Sequence, residues 1–130
     1  MKYVYKNVLL VNGLTSLRRY FSVIIKKEAE EDKIMFIMLC NFKLKPGTRT
    51  GLLEELKKHN LEAHLRQQPG NIEYSYLIPP EEENVLRLLE IWVDKESFDA
   101  HKNCEETALW RKLNAGLIIG KDNHGYCVTE

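Results

Sequence analysis

Residues 90–101 read EIWVDKESFDAH, and the stretch changes character halfway. Glu90-Ile91-Trp92-Val93 reads as extended chain, whereas Lys95-Glu96-Ser97-Phe98-Asp99-Ala100-His101 reads as helix. An indole and an imidazole therefore sit on either side of a strand-to-helix junction. A core has use for Trp92 but not for His101, and a solvated surface has use for neither. A pocket wall has use for both.

Working upstream, the strand of Trp92 extends over Val85–Val93. Leu86, Leu88, Glu90 and Trp92 share one face, and Val85, Arg87, Leu89, Ile91 and Val93 the other. Pro79-Pro80-Glu81-Glu82-Glu83-Asn84 is a polar connection that cannot be strand. Before it, Asn71–Ile78 alternates Ile72, Tyr74, Tyr76 and Ile78 against Glu73, Ser75 and Leu77, a second strand. Pro69-Gly70 stops a helix expected over Arg49–Gln68, with Thr48 as its cap. On that helix Leu52, Leu53, Leu56, Asn60, Ala63 and His64 fall in one sector. Ile34–Leu44, IMFIMLCNFKL, is a first strand ended by Pro46-Gly47. Phe36, Met38, Cys40 and Phe42 line one of its faces, and Ile37, Leu39 and Asn41 the other. A strand apolar on both sides belongs in a sheet covered twice.

Downstream, Lys95–His101 and Glu105–Leu113 make a broken helical region. Gly116–Ile119 opens a last strand, expected to resume at Tyr126-Cys127-Val128 after the turn-rich Lys121-Asp122-Asn123-His124-Gly125. The order β-α-β-β-α-β is the split βαβ of a ferredoxin-like α+β sandwich. Its two helical regions cover one sheet face. The other apolar face calls for a partner, and a homodimer with sheet facing sheet is the economical one.

Bulk properties narrow the classes. A chain of 130 residues makes one folded domain, placed at residues 34–130. No apolar run approaches the roughly 20 residues of a membrane-spanning helix. Net charge is zero but uneven: residues 1–27 hold six basic residues and no acid, leaving 13 basic and 19 acidic residues, net −6, beyond them. A domain that is acidic outside its leader is poorly suited to nucleic acid. Cys40, Cys104 and Cys127 are odd in number and far apart, which argues against a disulfide framework and against a zinc site. Residues 1–33 read as a separate segment. Its basic, acid-free start carries Leu14, Leu17, Phe21 and Ile24 around Arg18-Arg19, as a mitochondrial transit peptide does, with a cut expected between Phe21 and Ser22. A plain extension of a cytoplasmic protein, or a true start at Met35 or Met38, fits the same residues. KKEAEEDK, residues 26–33, is a charged linker.

The chain resembles the antibiotic biosynthesis monooxygenase family of dimeric α/β barrels over about residues 35 to 120. The resemblance rests on Pro46-Gly47 after the first strand and Gln68-Pro69-Gly70-Asn71-Ile72-Glu73-Tyr74 at the helix-to-strand corner. It rests also on Glu90-x-Trp92 followed by Phe98-x-x-His101. The family oxidises electron-rich aromatics such as quinols and anthrones with O2, using neither metal nor flavin, the deprotonated substrate being the electron donor. The resemblance thus implies a dry aromatic cavity, a group that takes a phenolic proton, and no cofactor. A non-catalytic dimeric ligand-binding or accessory subunit, of a larger and mitochondrial assembly if the leader is an address, is the alternative.

Carried onto this sequence, His101 would be the proton acceptor or hydrogen-bond a phenolate, unless it is a structural histidine bonding Glu90 or a carbonyl. Asn41 would orient an oxygen substituent, or else face outward. His64, where relatives have a small or hydroxyl residue, would add a second base or narrow the pocket. Trp92 would wall the substrate or simply be a core indole. Tyr74 would donate its hydroxyl or pack, Asn60 would point into the same cavity, and Glu90 would support the site through a buried hydrogen bond. Haem degradation, known in related folds, needs a histidine ligand and an asparagine near a tryptophan, a list that Asn41, Trp92 and His101 superficially meet.

Overall fold

The computed structural model describes residues 3–6, by their backbone, and 34–129. In chain order these form β1 (Tyr3–Lys6), β2 (Met35–Leu44), α1 (Arg49–Lys58), α2 (Leu61–Arg66), β3 (Asn71–Leu77), β4 (Val85–Trp92), α3 (Lys95–His101), α4 (Glu105–Leu113) and β5 (Ile118–Thr129). From β2 onward this is the ferredoxin-like α+β order read from the sequence. The sheet runs β1-β5-β2-β4-β3, antiparallel except where β1 lies parallel to β5. β1 falls within the stretch read as a leader; the expected cut after Phe21 and the linker lie outside the described residues.

The alternation in β2 and β4 puts Phe36, Cys40, Phe42, Leu44, Leu86 and Leu88 toward the helices. There Leu52, Leu56, Leu61, Leu65 and Trp110 close the main core. At the other end of that face Phe36, Trp92, Phe98 and Cys127 form a second cluster. On the opposite face Met35, Ile37, Leu89, Ile91 and Val128 are buried, with Leu39, Ile72, Leu77 and Tyr126 packed around them. That cluster contains no residue from any described helix.

Three local expectations are corrected. The single helix over Arg49–Gln68 is two helices, because Asn60 takes the left-handed conformation at φ 49°. That conformation costs an L-residue about 1–2 kcal/mol, least for asparagine. The break resets the helical phase so that Leu61 and Leu65 become fully buried. Burying two leucines is worth about 3–6 kcal/mol, which outweighs the cost. Thr48 occupies the cap position of α1 without capping it; its hydroxyl donates instead to the Lys45 carbonyl at 2.7 Å. The side-chain caps lie later in the chain, Asp94 accepting from the Ser97 N–H at 2.7 Å and the Cys104 sulfur from the Thr107 N–H at 3.4 Å.

The third correction concerns Lys121–Gly125, which is strand rather than turn, pairing with Phe42, Asn41, Cys40, Leu39 and Met38 of β2. Ladder hydrogen bonds along a central strand override local turn propensity. Gly125 belongs there for a steric reason: a β-carbon would meet the Phe36 ring at 3.0 Å. At the outer strand β3, Arg66 donates from Nε to the Tyr74 carbonyl at 2.9 Å. No described helix is long and apolar enough to cross a membrane.

Candidate functional site

The strand-to-helix junction at residues 90–101 positions the site. β4 delivers Glu90 and Trp92 onto the helix face, and Asp94 caps α3 so that Phe98 and His101, one turn apart, fold back over them. Trp92 has no exposed surface, and its ring stacks on His101 with centroids 4.4 Å apart and planes 27° from parallel. His101 is held at both nitrogens. Nδ1 is hydrogen-bonded to the Phe98 carbonyl, and Nε2 lies 3.4 Å from Glu90 Oε1. A carbonyl can only accept, so Nδ1 carries a hydrogen and Nε2 is the nitrogen that faces the carboxylate. Glu90 and His101 are both buried, so the two titratable groups sit side by side away from bulk water.

Glu90 and His101 form part of the wall of a cavity of about 610 Å³ between the sheet, α3, α4 and β5. Phe42, Leu88 and Trp110 supply apolar wall, and Cys40 and Tyr74 line it beside Glu90. The Tyr74 hydroxyl lies 3.4 Å from that of Tyr76, whose ring centroid lies 5.6 Å from that of Trp110. Burial pushes the Tyr74 phenol well above its usual range, with Tyr76 and Glu90 adding to the shift. Burial, reinforced by Glu90, raises the Cys40 thiol from 9.0 to about 12.

Both groups hold their proton more tightly folded than unfolded. Their contribution to stability is therefore complete below the unfolded values and is lost as pH rises through the folded ones. For Cys40 the window runs from 9.0 to about 12. Urea midpoints measured across that range should fall, and fall less steeply in Cys40→Ala; a flat profile in the parent would refute the burial argument.

The structure brings together some of the candidates from the sequence and not others. His101, Glu90 and Tyr74 line the cavity, and Trp92 backs His101 from behind rather than facing the opening. Asn41 is corrected: strand alternation puts it on the far face, where its Oδ1 accepts from Arg87 Nε at 2.7 Å. The Asn41-Trp92-His101 set that a haem-degrading site would need is therefore not assembled. Asn60 and His64 are also corrected, both being exposed and absent from the wall, because the break at Asn60 turns α2 so that Leu61 and Leu65 face inward. The sequence reading missed the face of α4 that roofs the cavity. Thr107, Trp110, Arg111 and Asn114 all line it, and their spacing of three, four and seven was a readable signal.

Comparison with known proteins bears on this arrangement. The family described as antibiotic biosynthesis monooxygenase matches residues 35–113. No curated protein matches the chain significantly. Among solved structures, PA3566 from Pseudomonas aeruginosa is 19% identical with a TM-score of 0.65, the match covering 74% of this chain and 95% of that one. A Nitrosomonas europaea protein described as a candidate antibiotic biosynthesis monooxygenase is 16% identical with a TM-score of 0.63, over 70% of this chain and 95% of that one. A structure described as an antibiotic biosynthesis monooxygenase, 20% identical, gives 0.59 over 69% of this chain and 94% of its own. At such identities these likenesses speak to the fold alone.

Proposed function

Because the chain belongs to the antibiotic biosynthesis monooxygenase family, matched over residues 35–113, we propose that it oxidises a quinol-like or polycyclic phenolic aromatic with O2, without a cofactor. The observation that carries this reading is the Glu90–His101 pair on the wall of a cavity that also presents Phe42, Tyr74 and Trp110. A flat phenol would lie against those rings, out of bulk water. Its proton would pass to the carboxylate–imidazole pair, which Trp92 and the Phe98 carbonyl hold in place. The resulting anion is the electron donor. For an anthrone-type substrate the ring methylene becomes a carbonyl by taking one oxygen atom, and the second leaves as water.

Oxygen uptake with menadiol and with an anthrone, corrected for the protein-free rate, tests the proposal. The parent should exceed the control, and His101→Gln and Glu90→Gln should each lose about 10²-fold, the lower end for a general acid–base group. Uptake no faster than the control would leave the non-catalytic, ligand-binding alternative in possession of the same cavity.

We also propose that the chain pairs with a copy of itself through the far face, since dimers are typical of the family. Met35, Ile37, Leu89, Ile91 and Val128 are already sequestered within one protomer, so the surface left to such a contact is that of Leu39, Ile72, Leu77 and Tyr126. Sedimentation should give twice the mass of the chain, and a stable single protomer at micromolar concentration would refute the pairing.

A further inference from the structure

The cavity wall changes character from floor to rim. Glu90 is the one carboxylate among its described lining residues, and it is buried against His101. Lys102, Arg111 and Lys121 all line the cavity as well, the last two exposed. We propose that the cavity takes an aromatic ligand bearing an anionic substituent, its ring against Trp110 and Phe42 and its carboxylate or sulfonate between Arg111 and Lys121. This rests on reading the cavity as the substrate site, and it does not depend on the reaction.

The nearby acids are otherwise engaged. Alternation along β5 puts Lys121 on the cavity side and turns Asp122 to the far side, where it lies 2.9 Å from His124 Nε2. Asp99 serves two ammonium groups, Lys95 at 2.6 Å and Lys102 at 2.8 Å, and their hydrogen bonds hold its carboxyl down at about 2. Arg111 spends one Nη2 donor on a neutral acceptor, the Lys102 carbonyl at 3.0 Å. Among the described residues no carboxylate pairs with Arg111 or Lys121. A guanidinium and an ammonium beside an apolar cleft favour a ligand that is greasy at one end and anionic at the other. The anchor also orients. An anion fixed at the rim leaves the opposite edge of the ring directed toward Glu90 and His101.

Two fluorescent probes with one aromatic body test this. 8-Anilinonaphthalene-1-sulfonate and N-phenyl-1-naphthylamine differ by the sulfonate alone. The full chain should bind the sulfonate about 10-fold more tightly than the neutral probe at low salt, and the preference should shrink at high salt. In the Arg111→Gln/Lys121→Gln double variant the ratio should approach one, chiefly through loss of sulfonate binding. Equal affinities in the parent, or a preference that survives the double substitution, would overturn the proposal. The two readings fail separately. Menadiol uptake at the control rate alongside the expected preference would sink the reaction and leave the anion site standing. Uptake above the control with no preference would do the reverse.

Discussion

Trp92→Ala is expected to lower the unfolding free energy by about 4 kcal/mol, within the range for deleting a buried large aromatic. The indole has no exposed surface and packs on two rings, stacked on His101 at 4.4 Å and edge-on to Phe98 at 6.3 Å, in one cluster with Phe36. Strand β4 and helix α3 meet through it, so the void cannot close without moving the imidazole. A typical domain has only about 5–15 kcal/mol in total, so the variant should unfold at much lower urea with an unchanged slope. Trp92→Phe should behave differently. The indole Nε1 is buried without a hydrogen-bond partner among the described residues, and phenylalanine removes that stranded donor along with some volume. The two changes offset, and the expected cost is about 1 kcal/mol. A Phe variant as damaged as the Ala variant would show that the N–H has a partner.

Gly70→Ala is the second large effect, expected at about 3 kcal/mol. Gly70 sits at φ +79° where α2 turns into β3, and its carbonyl accepts from the Val93 N–H at 2.9 Å. The left-handed backbone alone costs alanine about 1–2 kcal/mol. The remainder is steric: a β-carbon there would overlap the Ser97 hydroxyl, lie 2.5 Å from Ser97 Cβ and 3.0 Å from Val93 Cγ2. Overpacking of that kind typically costs about 1–3 kcal/mol. Removing the obstacle separates the two terms. In a Ser97→Gly background the Gly70→Ala penalty should shrink to roughly the backbone cost, a coupling read from a double-mutant cycle. An unchanged penalty would mean that the backbone angle accounts for all of it.

These two residues also mark how far the sequence could be read. Pro69-Gly70 and the junction after Trp92 were legible because turn chemistry and a change of period are local signals, and they sufficed for the element order. The two apolar faces of Ile34–Leu44 were legible for the same reason, and alternation alone put Asn41 opposite Phe42. The site was legible only in part. Glu90 and His101 were found together, but His64 and Asn60 were read on a continuous helix, and one left-handed residue moved both to the surface. Lys121–Gly125 looked like a turn because its strand character comes from pairing with residues about 80 positions earlier in the chain. The cavity rim was missed for a simpler reason: Arg111 and Lys121 lie on different elements, and no local pattern joins them.

Arg66 has a consequence beyond the fold. Its guanidinium donates to the Tyr74 carbonyl on β3, which among the described strands has a neighbour on one side only. Bare carbonyls on such a border are what a stray polypeptide would latch onto in templated accretion. With that oxygen already engaged by a charged, branched side chain, an incoming segment would have to displace Arg66 to pair at that position.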